Sequence, residues 1–297
     1  MSRYNIFIIS VVISAYIFGV LSHKYYWFPF SQLKNLKDYA LVLMSPIEND
    51  RGFKDTSSRI EVDCRKFQND GTAVIVTAGQ STADNAGNIP YKPHNNVFNL
   101  NPFNGKCYRA EDPLLGTTAS GGSTWSRLGD RLTASGAFEN VLFVPIAVGG
   151  SSVKDWIGWD GTYHGRHNRR FTLALDSIKK AGLKLTHILW QQGETDAVKR
   201  MKKENYIKYF GKIVDSLRSK GVSAPIFIAR ASYCQYRSNK MIRDAQFEIP
   251  TKFGNVFHGP DSDQFSNAIM RYDGCHMSGA GQDALADSWR DVLIERK

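Results

Sequence analysis

Ser81 closes the segment Gly79-Gln80-Ser81, which directly follows the apolar run Thr72-Ala73-Val74-Ile75-Val76-Thr77, and Asp273-Gly-Cys-His276 lies near the C-terminus. A serine hydroxyl is a poor nucleophile until a neighbouring imidazole takes its proton, and the imidazole needs a partner that fixes its tautomer. Ser81, His276 and Asp273 supply one residue of each kind, so the chain reads as a serine hydrolase or acyl-transfer enzyme. Ser81 would attack an acyl carbonyl, His276 would act as general base and then as general acid to the leaving alkoxide, and Asp273 would orient His276. The oxyanion formed needs preorganised donors, and losing one lowers the rate by about 100- to 1,000-fold. The expected donors are the backbone N–H groups of Ser81 and Gly150, where glycine lets the backbone approach a ligand closely, with the side-chain amide of Gln192 completing the hole. A lone Gly-x-Ser after a strand is usually only a turn, and a lone Asp-x-x-His more often a hydrogen bond at the start of a helix. Their combination carries the reading.

These residues must be brought together by the fold. Apolar runs at residues 73–77, 141–148, 187–190 and 225–229 read as strands buried on both faces. Amphipathic helices lie between them: Trp125, Leu128 and Leu132 fall at helical spacing, as do Tyr206, Phe210, Ile213, Val214 and Leu217, and Leu285, Trp289, Val292 and Leu293. The alternation predicts one α/β domain around a parallel sheet. In such a sheet ligands bind beyond the carboxyl ends of the strands. Ser81 follows the first run, Gly149-Gly150-Ser151-Ser152 the second, and Gln191-Gln192-Gly193-Glu194-Thr195-Asp196 the third, so all three segments are expected on one rim. Gln80, Asn85, Glu194 and Asp196 are expected to bind substrate or support these loops, Glu194 and Asp196 more as ties between loops. Trp156 and Trp159 either floor a sugar subsite or pack against a helix. The longest irregular piece, residues 84–122, is rich in Asn, Gly and Pro and is expected as a surface excursion near the site.

The same segments resemble the SGNH hydrolase superfamily, in its sialate O-acetylesterase-like branch with the related carbohydrate acetylesterases. The resemblance rests on Gly79-Gln80-Ser81-Thr82-Ala83-Asp84-Asn85, Val148-Gly149-Gly150-Ser151-Ser152, Trp190-Gln191-Gln192-Gly193-Glu194-Thr195-Asp196 and Asp273-Gly-Cys-His276. It extends through Gly105-Lys-Cys-Tyr108, Asp112-Pro-Leu-Leu-Gly116 and Gly121-Gly-Ser-Thr-Trp125, and covers roughly residues 70–295 in the family's order. It implies a three-layer α/β/α sandwich with a central parallel sheet, flavodoxin-like, and removal of O-acetyl groups from sugars with neither metal nor cofactor. Two departures stand out. The branch often carries Asn after the nucleophile, where this chain has Thr82, and the superfamily's oxyanion Asn has no counterpart in the third block, which leaves Gln192 as the substitute. An α/β-hydrolase is disfavoured because Gly79-Gln-Ser81-Thr-Ala83 lacks the second glycine of the nucleophile elbow.

The 297 residues are 42% hydrophobic and 22% charged, as in a globular protein. A net charge of +10 suits an acidic polysaccharide or an anionic membrane. The chain carries no RNP, zinc-finger or helix-turn-helix pattern, and nucleic acid is the weakest partner. Residues 4–22 are almost wholly apolar and uncharged after Arg3, and nineteen such residues at about 1.5 Å each span a bilayer core. Because Val20-Leu21-Ser22 is a poor cleavage site, residues 1–24 read as an uncleaved signal anchor, with Tyr25-Tyr26-Trp27-Phe28 as an interfacial belt; a cleaved signal peptide, which would leave the protein secreted, and a buried core helix are the alternatives. Residues 25–69 would be a linker leading into the hydrolase domain, residues 70–297, exported to the periplasm or the cell exterior. The four cysteines, Cys64, Cys107, Cys234 and Cys275, then suggest disulfides in one of three pairings. Cys64 with Cys107 and Cys234 with Cys275 would each join segments beside the rim. Asp160, His164 and His167 imitate a metal site, but nothing joins them at ligand spacing. The whole reads as a membrane-anchored esterase acting on an acetylated carbohydrate. An acyltransferase sharing the acyl-serine intermediate and a non-catalytic glycan-binding protein are the alternatives.

Overall fold

The computed structural model describes residues 3–25, 52–158 and 165–296. The aromatic belt at 26–28 and Trp159, Asp160 and His164 lie outside the described residues. Two compact units divide the chain, Met1–Asp50 and Arg51–Lys297. The first contains helix α1 (Arg3–Tyr25). Its stretch Ile8–Tyr25, of mean hydropathy 1.5, is long and apolar enough to cross a membrane.

In the second unit the described residues form one eight-stranded sheet: β1 (Glu61–Val62), β2 (Thr72–Gly79), β3 (Val97–Leu100), β4 (Cys107–Arg109), β5 (Asn140–Pro145), β6 (His187–Gln191), β7 (Ile226–Arg230) and β8 (Val256–Asp261), in the spatial order β1-β4-β3-β5-β2-β6-β7-β8. From β3 to β8 in that order the neighbours are parallel, whereas β4 runs antiparallel to both β1 and β3. The expected parallel sheet therefore extends from β3 to β8, and β4 and β1 add an antiparallel edge that makes the whole sheet mixed. Only the short turn at 101–106 separates β3 from β4, too little chain for the crossover that a parallel pair needs.

The central strand shows why the sequence builds this sheet. Every residue of β2 is buried. Its alternation sends Val74, Val76 and Ala78 into one core and Ala73 and Ile75 into the other, so both faces must be covered. Helices α2 (Thr124–Ala134) and α7 (Gly279–Ile294) cover the second face through Trp125, Leu128, Leu132, Leu285 and Trp289. Helices α3 (Asn168–Lys180), α5 (Lys203–Ser219) and α6 (Lys240–Lys252) cover the first through Phe171, Ala174, Phe210, Leu217 and Ile242. A short helix, α4 (Glu194–Val198), follows β6 directly. Residues 84–122, expected as irregular, contain β3 and β4, and β1 lies within the expected linker. Cys64 is bonded to Cys107 on β4, which staples this edge of the sheet.

At the opposite, amino ends of the central strands, His187 lies between Phe138 and Phe227, each 5.9 Å away between ring centroids. Burial pushes its imidazole down to about 4. An imidazole that charges less readily folded than unfolded stabilises the fold fully above its unfolded value of about 6.5. That contribution is lost as pH falls through the window from about 6.5 to about 4. Wild-type stability should decline there by on the order of 2 to 3 kcal/mol more than that of His187→Leu. Denaturant titrations of both proteins at several pH values check this, and parallel pH profiles would contradict it.

Candidate active site

Because β2, β5 and β6 are parallel, the segments that follow them emerge on one edge of the sheet. At the end of β2, Gly79 has φ +133°, and a Cβ there would lie 2.0 Å from the carbonyl oxygen of Gln191. Only glycine lets the two strand ends approach this closely. Gln80 N then donates to Gln191 O at 3.0 Å, and the chain turns into a single 3₁₀ turn, Ser81–Ala83. Thr82 and Ala83 are buried, while Ser81 stays partly exposed. The turn is pinned from two sides: Trp125 Nε1 donates to Ala83 O at 2.7 Å, and Thr82 Oγ1 donates to Glu194 Oε1 at 2.8 Å.

The expected relay partners are in contact. Asp273 Oδ2 and His276 Nδ1 are 2.6 Å apart, and Asp273 Oδ1 accepts the backbone N–H groups of Cys275 at 2.9 Å and His276 at 2.7 Å. Partial burial pushes the Asp273 carboxyl up, but the hydrogen bonds from His276 and Cys275 outweigh it and hold the carboxyl below the ordinary carboxylate value. Asp273 therefore stays ionised through the range in which an imidazole changes charge. With Nδ1 committed, Nε2 is the nitrogen left to meet a substrate or a serine. His276 and Ser81 line one small pocket, shared with Asp84, Gly87, Gly122 and Gln282. The Tyr272 ring stacks on His276 with centroids 6.1 Å apart.

The loop bearing Asp273 and His276 belongs to no regular element and is held from outside. Arg271 is 2% exposed. Its guanidinium donates to Phe265 O at 2.8 Å, to Ser262 O at 2.9 Å, and to Cys275 O between the two relay residues. Cys275 is bonded to Cys234, which ties the loop to the segment after β7.

The remaining expected residues form a buried polar layer beneath the pocket. Gln80 Oε1 accepts from Gln192 Nε2 at 3.2 Å, Gly193 N at 3.4 Å and Thr195 N at 3.0 Å. Asp196 accepts from Ser152 Oγ, from Val153 N at 2.8 Å and from Gln192 Nε2 at 2.6 Å. Burial pushes the carboxyls of both Glu194 and Asp196 up. Asn85 binds Leu114, Thr117 and Ala119. One expected role is corrected. Gln192 is completely buried; its donors go to Gln80, Ser151 and Asp196, and its acceptor is taken by Tyr206, so it stiffens the rim and has nothing left to offer an oxyanion. Of the two readings of Trp156, packing against a helix is the one that agrees with its surroundings: it is completely buried against Phe171 and Trp190, and its Nε1 donates to Ser151 Oγ at 3.0 Å. Gly150 has φ +70° and is exposed, and its neighbour Gly149 donates to Asp84 Oδ2 at 3.1 Å.

Sequence reasoning gave no role to Asp84, Arg271 or Gln282. Asp84 accepts from Asn85 N at 2.7 Å, from Ala119 N at 2.9 Å, from Thr118 Oγ1 and from Gly149 N, joining the serine turn to the glycine loop. Its signal was position alone, three residues beyond the serine. Gln282 falls one turn ahead of Leu285, Ala286 and Trp289, on the inward stripe of α7, and that spacing could have found it. Among the described residues no group of three or more His, Cys, Asp or Glu side chains could hold a metal ion.

A mostly parallel α/β sheet thus carries a serine and an Asp–His pair that line one pocket. The chain belongs to the family described as "Carbohydrate esterase, sialic acid-specific acetylesterase", which matches residues 72–294, and is accordingly an esterase that removes acetyl groups from a sugar substrate. Among solved structures, a protein from Arabidopsis thaliana is similar at a TM-score of 0.61 and 18% identity, covering 76% of this chain and 98% of its own. NanS aligns at a TM-score of 0.49 and 17% identity, covering 77% of this chain and 98% of its own. A carbohydrate acetylesterase from Xanthomonas citri aligns at 0.47 and 12%, covering 73% and 55%. The likeness to the Arabidopsis protein is one of fold. No curated protein matches the chain.

Cys234 and Cys275 are 41 residues apart, and closing such a loop is worth roughly 3 to 4 kcal/mol against the unfolded chain. Its local effect is larger, because relay geometry tolerates little displacement. Reduction should lower esterase activity before the fold is lost. Activity and near-ultraviolet circular dichroism followed along one reductant titration check this, and simultaneous loss of both would contradict it.

Proposed function

We propose that this chain hydrolyses O-acetyl esters of a cell-envelope or extracellular carbohydrate through an acyl-Ser81 intermediate. The observation that carries the reading is the 2.6 Å contact between Asp273 Oδ2 and His276 Nδ1, made by a histidine that lines one pocket with Ser81. Asp273 fixes the tautomer with Nε2 unprotonated. His276 takes the proton of Ser81 as its Oγ attacks the acetyl carbonyl, and returns that proton to the sugar oxygen as the alcohol leaves. The backbone N–H groups of Ser81 and Gly150 are the proposed oxyanion donors, one at the serine turn and one in the loop that Asp84 tethers to it.

Helices on both faces of the mostly parallel sheet support the three-layer, flavodoxin-like SGNH arrangement. Residues 1–24 are proposed as the membrane anchor, and two disulfides suit a domain that matures in an oxidising compartment. The net charge of +10 favours an acidic glycan as substrate.

Ser81→Ala in the full chain should reduce acetate release from an acetylated sugar by at least about 1,000-fold and leave the circular dichroism spectrum unchanged. His276→Ala should be nearly as damaging, and the double variant should be no slower than the worse single, because the residues act as a unit. Retention of a tenth or more of wild-type activity in Ser81→Ala would remove Ser81 from the mechanism.

A further inference from the structure

We propose that Gln282 is a further catalytic residue of this site, whose side-chain amide holds the water that hydrolyses acyl-Ser81. The inference rests on the acyl-serine reading above and adds the residue that governs its second half.

Gln282 lies in the first turn of α7 and is 1% exposed. Its amide is wedged against two glycines. A Cβ at Gly87 would fall 2.2 Å from Gln282 Nε2 and 2.6 Å from Oε1, and one at Gly122 would fall 2.9 Å from Nε2. Those glycines bond each other, Gly87 N donating to Gly122 O at 2.9 Å and Gly122 N to Gly87 O at 2.7 Å, so neither N–H is left for Oε1. Neither Nε2 nor Oε1 of Gln282 has a hydrogen-bond partner among the described residues. Buried amides nearly always have one, so an orphaned pair of this kind calls for an explanation.

The pocket supplies it. Gln282 lines the same pocket as Ser81 and His276, and the space enclosed there suits about one water-sized group. The methyl of an acetyl group would leave both amide atoms unpaired. A water answers both: it accepts from Nε2 and donates one O–H to Oε1. Its second O–H remains for His276 Nε2, and its second lone pair for the acyl carbon. In the step itself the water oxygen bonds to the acyl carbon while His276 takes the proton. The tetrahedral adduct then collapses, the bond from the acyl carbon to Ser81 Oγ breaks, Oγ recovers that proton from His276, and acetic acid, which keeps the water's other proton, leaves and ionises in solvent. Acylation needs no such water, so the amide acts on deacylation alone.

The test is rapid mixing of the full chain with p-nitrophenyl acetate, for wild type and for Gln282→Leu, which keeps the volume and removes both polar atoms. Gln282→Leu should release a burst of about one equivalent of nitrophenol, after which kcat is lower by about 10- to 100-fold. KM should fall in parallel, kcat/KM should stay within about threefold of wild type, and acetylated Ser81 should accumulate in the intact-mass spectrum. Gln282→Asn, whose amide is one methylene short, should give the same signature more weakly and serves where the leucine variant does not fold. Equal loss of kcat and kcat/KM, or an unchanged kcat without accumulated acyl-enzyme, would overturn the role of Gln282. Turnover without any acyl group on Ser81 in either protein would overturn the acyl-serine reading instead.

Discussion

Where β2, β5 and β6 end, the chain takes Gln80, Asp84, Gln192, Glu194 and Asp196 out of water, and each buried polar atom left without a partner costs about 1 to 3 kcal/mol. The position of Ser81 follows from how that demand is met. Gln80 bonds the segment after β6, Asp196 bonds Gln192 and the segment after β5, and Asp84 bonds the glycine loop. Gln192 lies at the centre, joined also to Tyr206 of α5 and, through its carbonyl, to Gln246 of α6. Three loops that could each move alone are thereby fixed as one surface, and the serine turn stands on it. A layer of this kind is stiff because its loops share partners, although Glu194 Oε2 has none among the described residues; displacing any one loop strands partners on the other two.

The relay loop is held by different means. Asp273 and His276 lie between β8 and α7, in a stretch outside the named strands and helices, where a single bridge between Arg271 and Met277 helps to restrain them. A buried guanidinium, a disulfide and the hydrogen bonds of Asp273 to its own following backbone do that work. Burial pushes the Arg271 guanidinium down, although the Glu194 and Asp263 carboxylates nearby oppose it. The same charges link the relay loop to the layer beneath the serine. The two halves of the site thus share electrostatic support as well as a pocket.

Much of this was legible in the sequence, and the residues that were not have physical reasons. Strands β2, β5, β6 and β7 announce themselves as apolar runs buried on both faces, and the stripes of α2, α5 and α7 are regular. Strands β1, β3 and β4 are two to four residues long, too short for alternation to register, and β8 ends in Gly259-Pro260-Asp261, which reads as a turn. Helices α3 and α6 hide because α3 begins Asn168-Arg-Arg and α6 contains Pro250. The rim itself could be deduced, since parallel strands must deliver their following segments to one edge. The partners of Gln191 and Gln192 could not be. Adjacent strand residues face opposite ways: Gln191 Oε1 accepts from Trp289 Nε1 at 3.1 Å, while Gln192 turns toward Asp196. These partners lie far off in the sequence: Trp289 is 98 residues from Gln191, and Gln80 is 112 and Ser151 41 residues from Gln192.

The claim on which the rest stands is that Ser81 is made nucleophilic by His276. Labelling the full chain with a serine-directed phosphonate and mapping the adduct by peptide mass spectrometry tests it most directly. A single adduct is expected, on Ser81, formed at least about 100-fold more slowly in His276→Ala. An adduct on another residue, or labelling of Ser81 at an unchanged rate in His276→Ala, would contradict it.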